Sequence, residues 1–184
     1  MNILILFASK EGQTEKIAHF IAEVIRHHGH QATTHLGEHL PKDFSLDSFD
    51  AAIIGGSIHM GKYPRYLKRF VSEHSDWLNR IPSALFTVCM AIHSVNEKEQ
   101  AEARSFGTNF IKETDWQPDL VETFAGAVKY TQYGFITRII MRHISKKEGG
   151  DTDTSRDHEY TNWDAVTRFT EKFLSELGEL ERTS

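Results

Sequence analysis

Residues 3–14 have the sequence ILILFASKEGQT, an apolar run followed by a short polar turn. A continuous apolar run such as residues 3–8 is typical of a parallel strand that is buried on both faces. Apolar residues then recur at helical spacing over residues 13–28, and Gly29 ends the helical pattern. This order of strand, polar turn and helix predicts the first unit of a parallel sheet that has helices on both faces.

The same alternation continues along the chain. Further strands are predicted at residues 31–36, 51–56, 84–91 and 120–128. Helices are predicted at residues 64–78, 97–113 and 162–177. The predicted fold class is therefore α/β, a three-layer sandwich with a five-stranded parallel sheet in the order 2-1-3-4-5. We assign residues 1–178 to one domain, with an inserted segment at residues 129–150, and residues 179–184 to a polar C-terminal tail.

The polar turn between the first strand and the first helix is a candidate phosphate-binding loop. The first amides of a helix have no intrahelical partner, and the helix dipole favours an anion there. Hydroxyl groups add donors, and Gly12 lets the backbone approach a ligand closely. The predicted binding residues are Ser9, Lys10, Glu11, Gly12, Gln13 and Thr14. The alternative is an ordinary strand-to-helix turn in which Ser and Thr act as helix caps.

Composition limits the other functions that the chain can have. The net charge of -5 argues against a dedicated nucleic-acid binder. The single cysteine, Cys89, cannot form an intramolecular disulfide, which favours a reducing, cytoplasmic compartment. No apolar run is long enough to span a membrane. No metal site is predicted, because Gly37 and Pro41 interrupt the H-x-x-E-H pattern that runs from His35 to His39.

Several short motifs, taken together, resemble those of a known family. They are LILF at 4–7, GQT at 12–14, IGGSI at 54–58, PSA at 82–84, AGA at 125–127, KY at 129–130, GGDTDT at 149–154 and YTNW at 160–163. With the S-x-x-G-x-T loop they resemble the flavodoxin family, and within it the quinone-dependent protoporphyrinogen IX dehydrogenases of bacterial haem synthesis. The resemblance covers nearly the whole chain and implies FMN as the cofactor, with its phosphate in the loop at residues 9–14.

The resemblance also implies which other loops hold the flavin. Two loops would flank the isoalloxazine ring, with the residues Ser57, Ile58, His59, Met60 and Gly61 in one and Met90, Ala91, Ile92 and His93 in the other. Gly126, Asp151, Thr152 and Asp153 would help to close the site. For the two histidines, solvated loop positions are the alternative, and no catalytic base is assigned.

The implied reaction is the six-electron oxidation of protoporphyrinogen IX to protoporphyrin IX, with menaquinone or ubiquinone as the electron acceptor. Two alternatives remain open, an electron-carrier flavodoxin and a flavodoxin-like NAD(P)H:quinone reductase. The residues do not indicate the oligomeric state.

The inserted segment is basic although the whole chain is acidic. Residues 129–147 contain five Lys or Arg residues and no acidic residue, and apolar residues recur between them at helical spacing. Such a pattern is typical of an element that binds a membrane surface or a partner. We predict that Arg138, Arg142, Lys146 and Lys147 contact either an anionic membrane or the carboxylates of the substrate. A surface helix that covers the sheet is the alternative. The expected location is the cytoplasm, peripherally attached to the inner face of the cell membrane.

Overall fold

The structure, a computed structural model, describes residues 1–128 and 157–183. The strands are β1 (Asn2–Ala8), β2 (Gln31–Leu36), β3 (Ala51–Ser57), β4 (Ser83–Val88), β5 (Leu120–Phe124), β6 (Ala127–Val128) and β7 (His158–Glu159). The helices are α1 (Gln13–His27), α2 (Arg65–Glu73), α3 (Ser75–Leu78), α4 (Glu97–Thr114) and α5 (Trp163–Thr183). Short 3₁₀ turns occupy Leu46–Ser48 and Met90–His93.

The described strands β1 to β5 form one parallel sheet in the order β2-β1-β3-β4-β5, which confirms the predicted topology. Alternate side chains of β1 enter two separate cores. Ile3, Ile5 and Phe7 pack with α1 and α5 on one face of the sheet. Leu4 and Leu6 pack with α2 and α4 on the other face. The sheet therefore has helices on both faces. Residues 9–14, the candidate phosphate-binding loop and called the phosphate loop below, lie at its carboxyl edge.

Two strands end earlier than the sequence predicts. β4 ends at Val88, and the chain turns into the 3₁₀ helix instead of continuing to Ala91. β5 ends at Phe124, whose carbonyl accepts a hydrogen bond from the Cys89 amide at 3.0 Å. After Ala125 and Gly126, Ala127–Val128 forms a separate antiparallel pair with β7 instead of extending β5.

The predicted helices also differ in their bounds. The helix expected at residues 64–78 is interrupted at His74, which separates α2 from α3 and packs its ring 4.7 Å from that of Phe70. The last helix begins one residue later than predicted, because the Asn162 side chain accepts a hydrogen bond from the Ala165 amide and caps it. It then continues to Thr183, beyond the predicted end and through most of the predicted tail.

No described helix has both the length and the apolar composition that crossing a bilayer requires.

Candidate functional site

The phosphate loop has the backbone geometry of an anion site. Gly12 precedes α1 with a φ of 84°, in the left-handed region that favours glycine. Its amide donates to Ser9 Oγ at 3.0 Å, and its carbonyl accepts from the Lys16 amide at 3.0 Å. Gly12 has no side chain that could cap α1, and the Ser9 hydroxyl bonds to the loop and not to the first turn of the helix. The first amides of α1 have no partner within the helix, so they can donate to a ligand, and Thr14 lies buried among them.

The loop after β3 brings two unpaired polar atoms to this edge. Ser57 Oγ and His59 Nε2 are buried and have no hydrogen-bond partner among the residues that the structure describes. Burial lowers the pKa of His59, an effect that the nearby Glu11 carboxylate opposes and the nearby Lys10 ammonium reinforces. His59 is therefore a neutral ring at neutral pH, and it lies close to the phosphate loop. Buried polar atoms normally have partners, so this pair indicates a place for a polar ligand.

The same loop ends in a tight turn. The backbones of His59 and Lys62 exchange two hydrogen bonds of 3.0 and 3.1 Å, and both central residues, Met60 and Gly61, have positive φ. This conformation is that of a type I′ hairpin turn, and it is unfavourable for methionine. The Met60 side chain is fully exposed at the tip. The Ile58 amide donates to the Val88 carbonyl at 2.9 Å, which fixes the base of the loop against β4.

The loop after β4 forms the other side of the site. Its residues Met90, Ala91 and Ile92 are half-buried, whereas His93 is exposed. The His93 ring lies 4.7 Å from the Tyr160 ring at an interplanar angle of 41°. The Tyr160 amide in turn donates to the Gly126 carbonyl at 3.0 Å. The loops after β4, β5 and β7 are thus in contact with one another at the carboxyl edge.

The described part of the predicted site is therefore assembled at one edge of the sheet. The remaining predicted residues lie outside the described residues: Asp151, Thr152, Asp153, Arg138, Arg142, Lys146 and Lys147. Their assignments stay predictions. Within residues 1–128 and 157–183, no group of three or more His, Cys, Asp or Glu side chains could hold a metal ion.

Sequence reasoning missed residues that connect these loops. Gln13 Nε2 donates to Thr161 Oγ1 at 2.9 Å, and Thr161 Oγ1 donates to the Ala125 carbonyl at 2.8 Å. Tyr63, which packs over the backbone of Gly56, shares a 2.6 Å hydrogen bond with Thr87. Thr161 belongs to the YTNW motif, but nothing in the motif shows that its hydroxyl reaches the first helix.

Comparison with known proteins places this geometry in a family. A profile of the flavodoxin domain matches residues 4–155 of the chain. The chain belongs to the flavodoxin domain family. The oxidised flavodoxin 1 of Bacillus cereus has the same fold, with a TM-score of 0.57 and 17% sequence identity. The structural match covers 95% of this chain and 98% of that flavodoxin.

Two relatives in sequence carry the name of an enzyme. The protoporphyrinogen IX dehydrogenase [quinone] of Escherichia coli (strain K12) is 33% identical over 169 residues, which are 92% of each chain. The protein of the same name from Leishmania major is 29% identical over 172 residues, covering 94% of this chain and 74% of its own length. The prediction of a flavodoxin-like oxidoreductase is confirmed, and the family indicates a flavin cofactor.

Proposed function

We propose that this protein catalyses the FMN-dependent oxidation of protoporphyrinogen IX to protoporphyrin IX, with a quinone as the electron acceptor, in haem biosynthesis. The observation that carries the proposal is the alignment over 92% of the chain with a relative that is named for this reaction. The fit of the carboxyl edge to a phosphorylated flavin supports the cofactor part of the proposal.

The phosphate end of FMN fits the loop at residues 9–14. A terminal phosphate needs several hydrogen-bond donors and a positive electrostatic potential, and the first turn of α1 supplies both. Gly12 has no side chain to block the approach, and the hydroxyl of Thr14 lies in the first turn. FMN is favoured over an unphosphorylated flavin because its phosphate would accept charge-assisted hydrogen bonds from these amides, which an unphosphorylated flavin would leave to water.

The ring end of FMN fits the loops after β3 and β4. A flavin supplies the chemistry of accepting a hydride equivalent from one molecule and passing electrons to another when it is bound. Its pyrimidine edge offers both N–H and C=O groups, which could provide partners for Ser57 Oγ and His59 Nε2. Because His59 stays neutral, one ring nitrogen donates and the other accepts, so His59 can orient such an edge without adding charge.

The surroundings of the ring leave room for a planar substrate. The residues at the loop tips are Met60 and His93, neither of which is a large aromatic that would cover a flavin face. The Tyr160 ring packs against the His93 ring, and the hydrogen bond from the Ile58 amide to the Val88 carbonyl keeps the β3 loop in place. The chain's own role is therefore to bind, orient and partly enclose the reactants, while the cofactor carries the redox chemistry.

The direct test is porphyrin fluorescence. Purified protein reconstituted with FMN is mixed with protoporphyrinogen IX and either a menaquinone or a ubiquinone analogue under exclusion of oxygen. We expect fluorescence to rise only when protein, FMN and quinone are all present. A rate that does not exceed a heat-inactivated control, in a sample shown to contain bound FMN, would overturn the proposal. A parallel sample with NAD(P)H and quinone but no porphyrinogen tests the reductase alternative, and lack of turnover in both samples would indicate an electron carrier.

We also propose that the protein attaches peripherally to the anionic inner face of the cell membrane, from the cytoplasm. The support is the charge pattern of residues 129–147, because each cation near an anionic leaflet contributes about 1 kcal/mol. The double variant Arg138→Glu/Arg142→Glu should sediment less with phosphatidylserine vesicles than the wild type. The matched control is Arg65→Glu/Arg69→Glu, which makes the same charge change at the same spacing at two exposed positions of α2, and it should sediment like the wild type. Equal sedimentation of the wild type and the Arg138/Arg142 variant would count against membrane docking through this segment.

A further inference from the structure

Residues 158–163 contact one face of the first helix. Gln13, Lys16 and Phe20 follow one another at helical spacing on that face of α1. Lys16 forms an ion pair with Glu159 and lies 5.1 Å from the Trp163 ring centre, and the rings of Phe20 and Trp163 are 4.9 Å apart. The Lys16 side chain is exposed, so water weakens its ion pair with Glu159, whereas Phe20 and Trp163 are half-buried. The contact of Gln13 with Thr161 differs, because Gln13 is only 7% exposed.

The hydroxyl of Thr161 both donates and accepts a hydrogen bond. Its single proton is donated to the Ala125 carbonyl, so the oxygen must accept from the Gln13 side-chain amide. One short side chain thereby joins the loop after β5 to the first residue of α1. Gln13 is also a phosphate-loop residue, because its backbone amide is the first of the α1 amides that have no partner within the helix.

We infer that Thr161 is a positioning residue for the cofactor phosphate. By accepting from the Gln13 side chain, which also interacts with the Glu159 carboxylate, it helps to fix the orientation of the first turn of α1 relative to the loops that flank the flavin ring. The phosphate end and the ring end of the site are then held at a constant separation. This inference rests on the proposed binding of FMN, and it assigns a role to a residue more than a hundred positions away from the phosphate loop.

The test compares two flavins that differ only in the phosphate. Thr161→Val keeps the size of the side chain and removes the hydroxyl, whereas Thr161→Ser keeps the hydroxyl. For Thr161→Val we expect FMN affinity, measured by quenching of flavin fluorescence on titration with apoprotein, to fall about five-fold to ten-fold. Affinity for riboflavin, which has no phosphate, should stay within about two-fold of the wild-type value, and Thr161→Ser should resemble the wild type with both ligands.

Thr167→Val is the matched control. Its hydroxyl donates to the Trp163 carbonyl within α5 at 3.0 Å, so the variant loses a hydroxyl of the same kind without touching the phosphate loop. It should bind both flavins normally. Unchanged FMN affinity in Thr161→Val, or an equal loss for FMN and riboflavin, would overturn the inference, since the second result would reflect general destabilisation.

Inorganic phosphate provides a readout that does not need the flavin ring. Phosphate should raise the melting temperature of wild-type apoprotein more than that of Thr161→Val. If phosphate raises the melting temperature of the wild type more than that of Thr161→Val but FMN does not bind, the proposed cofactor is wrong. The role of Thr161 in positioning a phosphate-binding turn then stands. If FMN binds to the wild type and the two proteins respond equally to both phosphate and FMN, only the positioning role fails. If neither phosphate nor FMN binds to the wild type, both are wrong.

Discussion

Replacing Gly12 by alanine should weaken FMN binding, and replacing Gly29 should not. The two glycines lie at opposite ends of α1 with nearly identical φ angles of 84° and 83°. A left-handed conformation costs an L-residue about 1–2 kcal/mol, so both variants should lose a similar free energy of unfolding. An alanine at position 29 would meet nothing within 4 Å, which makes Gly29→Ala a measure of the backbone cost alone.

The consequence for the ligand differs between the two ends. At position 12 the chain can relieve the strain only by rotating the backbone that presents the first amides of α1. If the full strain energy of about 1–2 kcal/mol reduced the free energy of FMN binding, the affinity for FMN would fall roughly five-fold to thirty-fold. Fluorescence titration gives the affinities, and urea denaturation of the apoproteins gives the stabilities. Wild-type FMN affinity in Gly12→Ala, with the stability loss matching that of Gly29→Ala, would refute the assignment of the phosphate loop.

Three further predictions concern the core beneath the site and the loop after β3. Tyr63→Phe should lower the free energy of unfolding, measured by urea denaturation, by about 1–2 kcal/mol, because the fully buried Thr87 hydroxyl loses its partner. Adding Thr87→Val should restore most of that loss, and strictly additive effects of the two substitutions would contradict this. Gly55→Ala should cost about 1–3 kcal/mol, because the new methyl carbon would lie 2.0 Å from a ring atom of Phe86, and Phe86→Leu should relieve part of the cost. The pKa of His59 lies below its ordinary value of 6.5, so the unfolded chain takes up that proton first as the pH falls. The wild type should therefore lose stability relative to His59→Gln as the pH falls below 6.5, with melting curves as the measurement, and parallel pH profiles would show that His59 is not responsible.

Much of the fold follows from local patterns. β1, the polar turn and α1 are contiguous in the chain, and each is specified by its own periodicity, so their order and most of their bounds could be predicted. The carboxyl ends of parallel strands share an edge, so the gathering of the loops after β1, β3 and β4 could be predicted too. The fold class needed no information about individual contacts.

The strand ends and the links between loops could not be predicted in this way. Residues 84–91 and 120–128 are each predicted as one strand, but the ladder between β4 and β5 stops where the amide of Cys89 bonds to the Phe124 carbonyl. Amino-acid composition does not indicate where the pairing of β4 with β5 ends. The contact between Gln13 and Thr161 joins positions that are 148 residues apart, and a single sequence contains no signal for such a pair. The unpaired atoms of Ser57 and His59 depend on which side chains surround them, which only the folded chain determines.

The central claim is that the carboxyl edge of this sheet binds flavin mononucleotide through the phosphate loop. The most direct measurement is to saturate apoprotein with an equimolar mixture of FMN, FAD and riboflavin, remove free ligand, denature the protein and identify the released flavin by chromatography. We predict that FMN is recovered from the wild type in a ratio of one per chain. Recovery of mainly FAD or riboflavin, or of no flavin, would contradict the account.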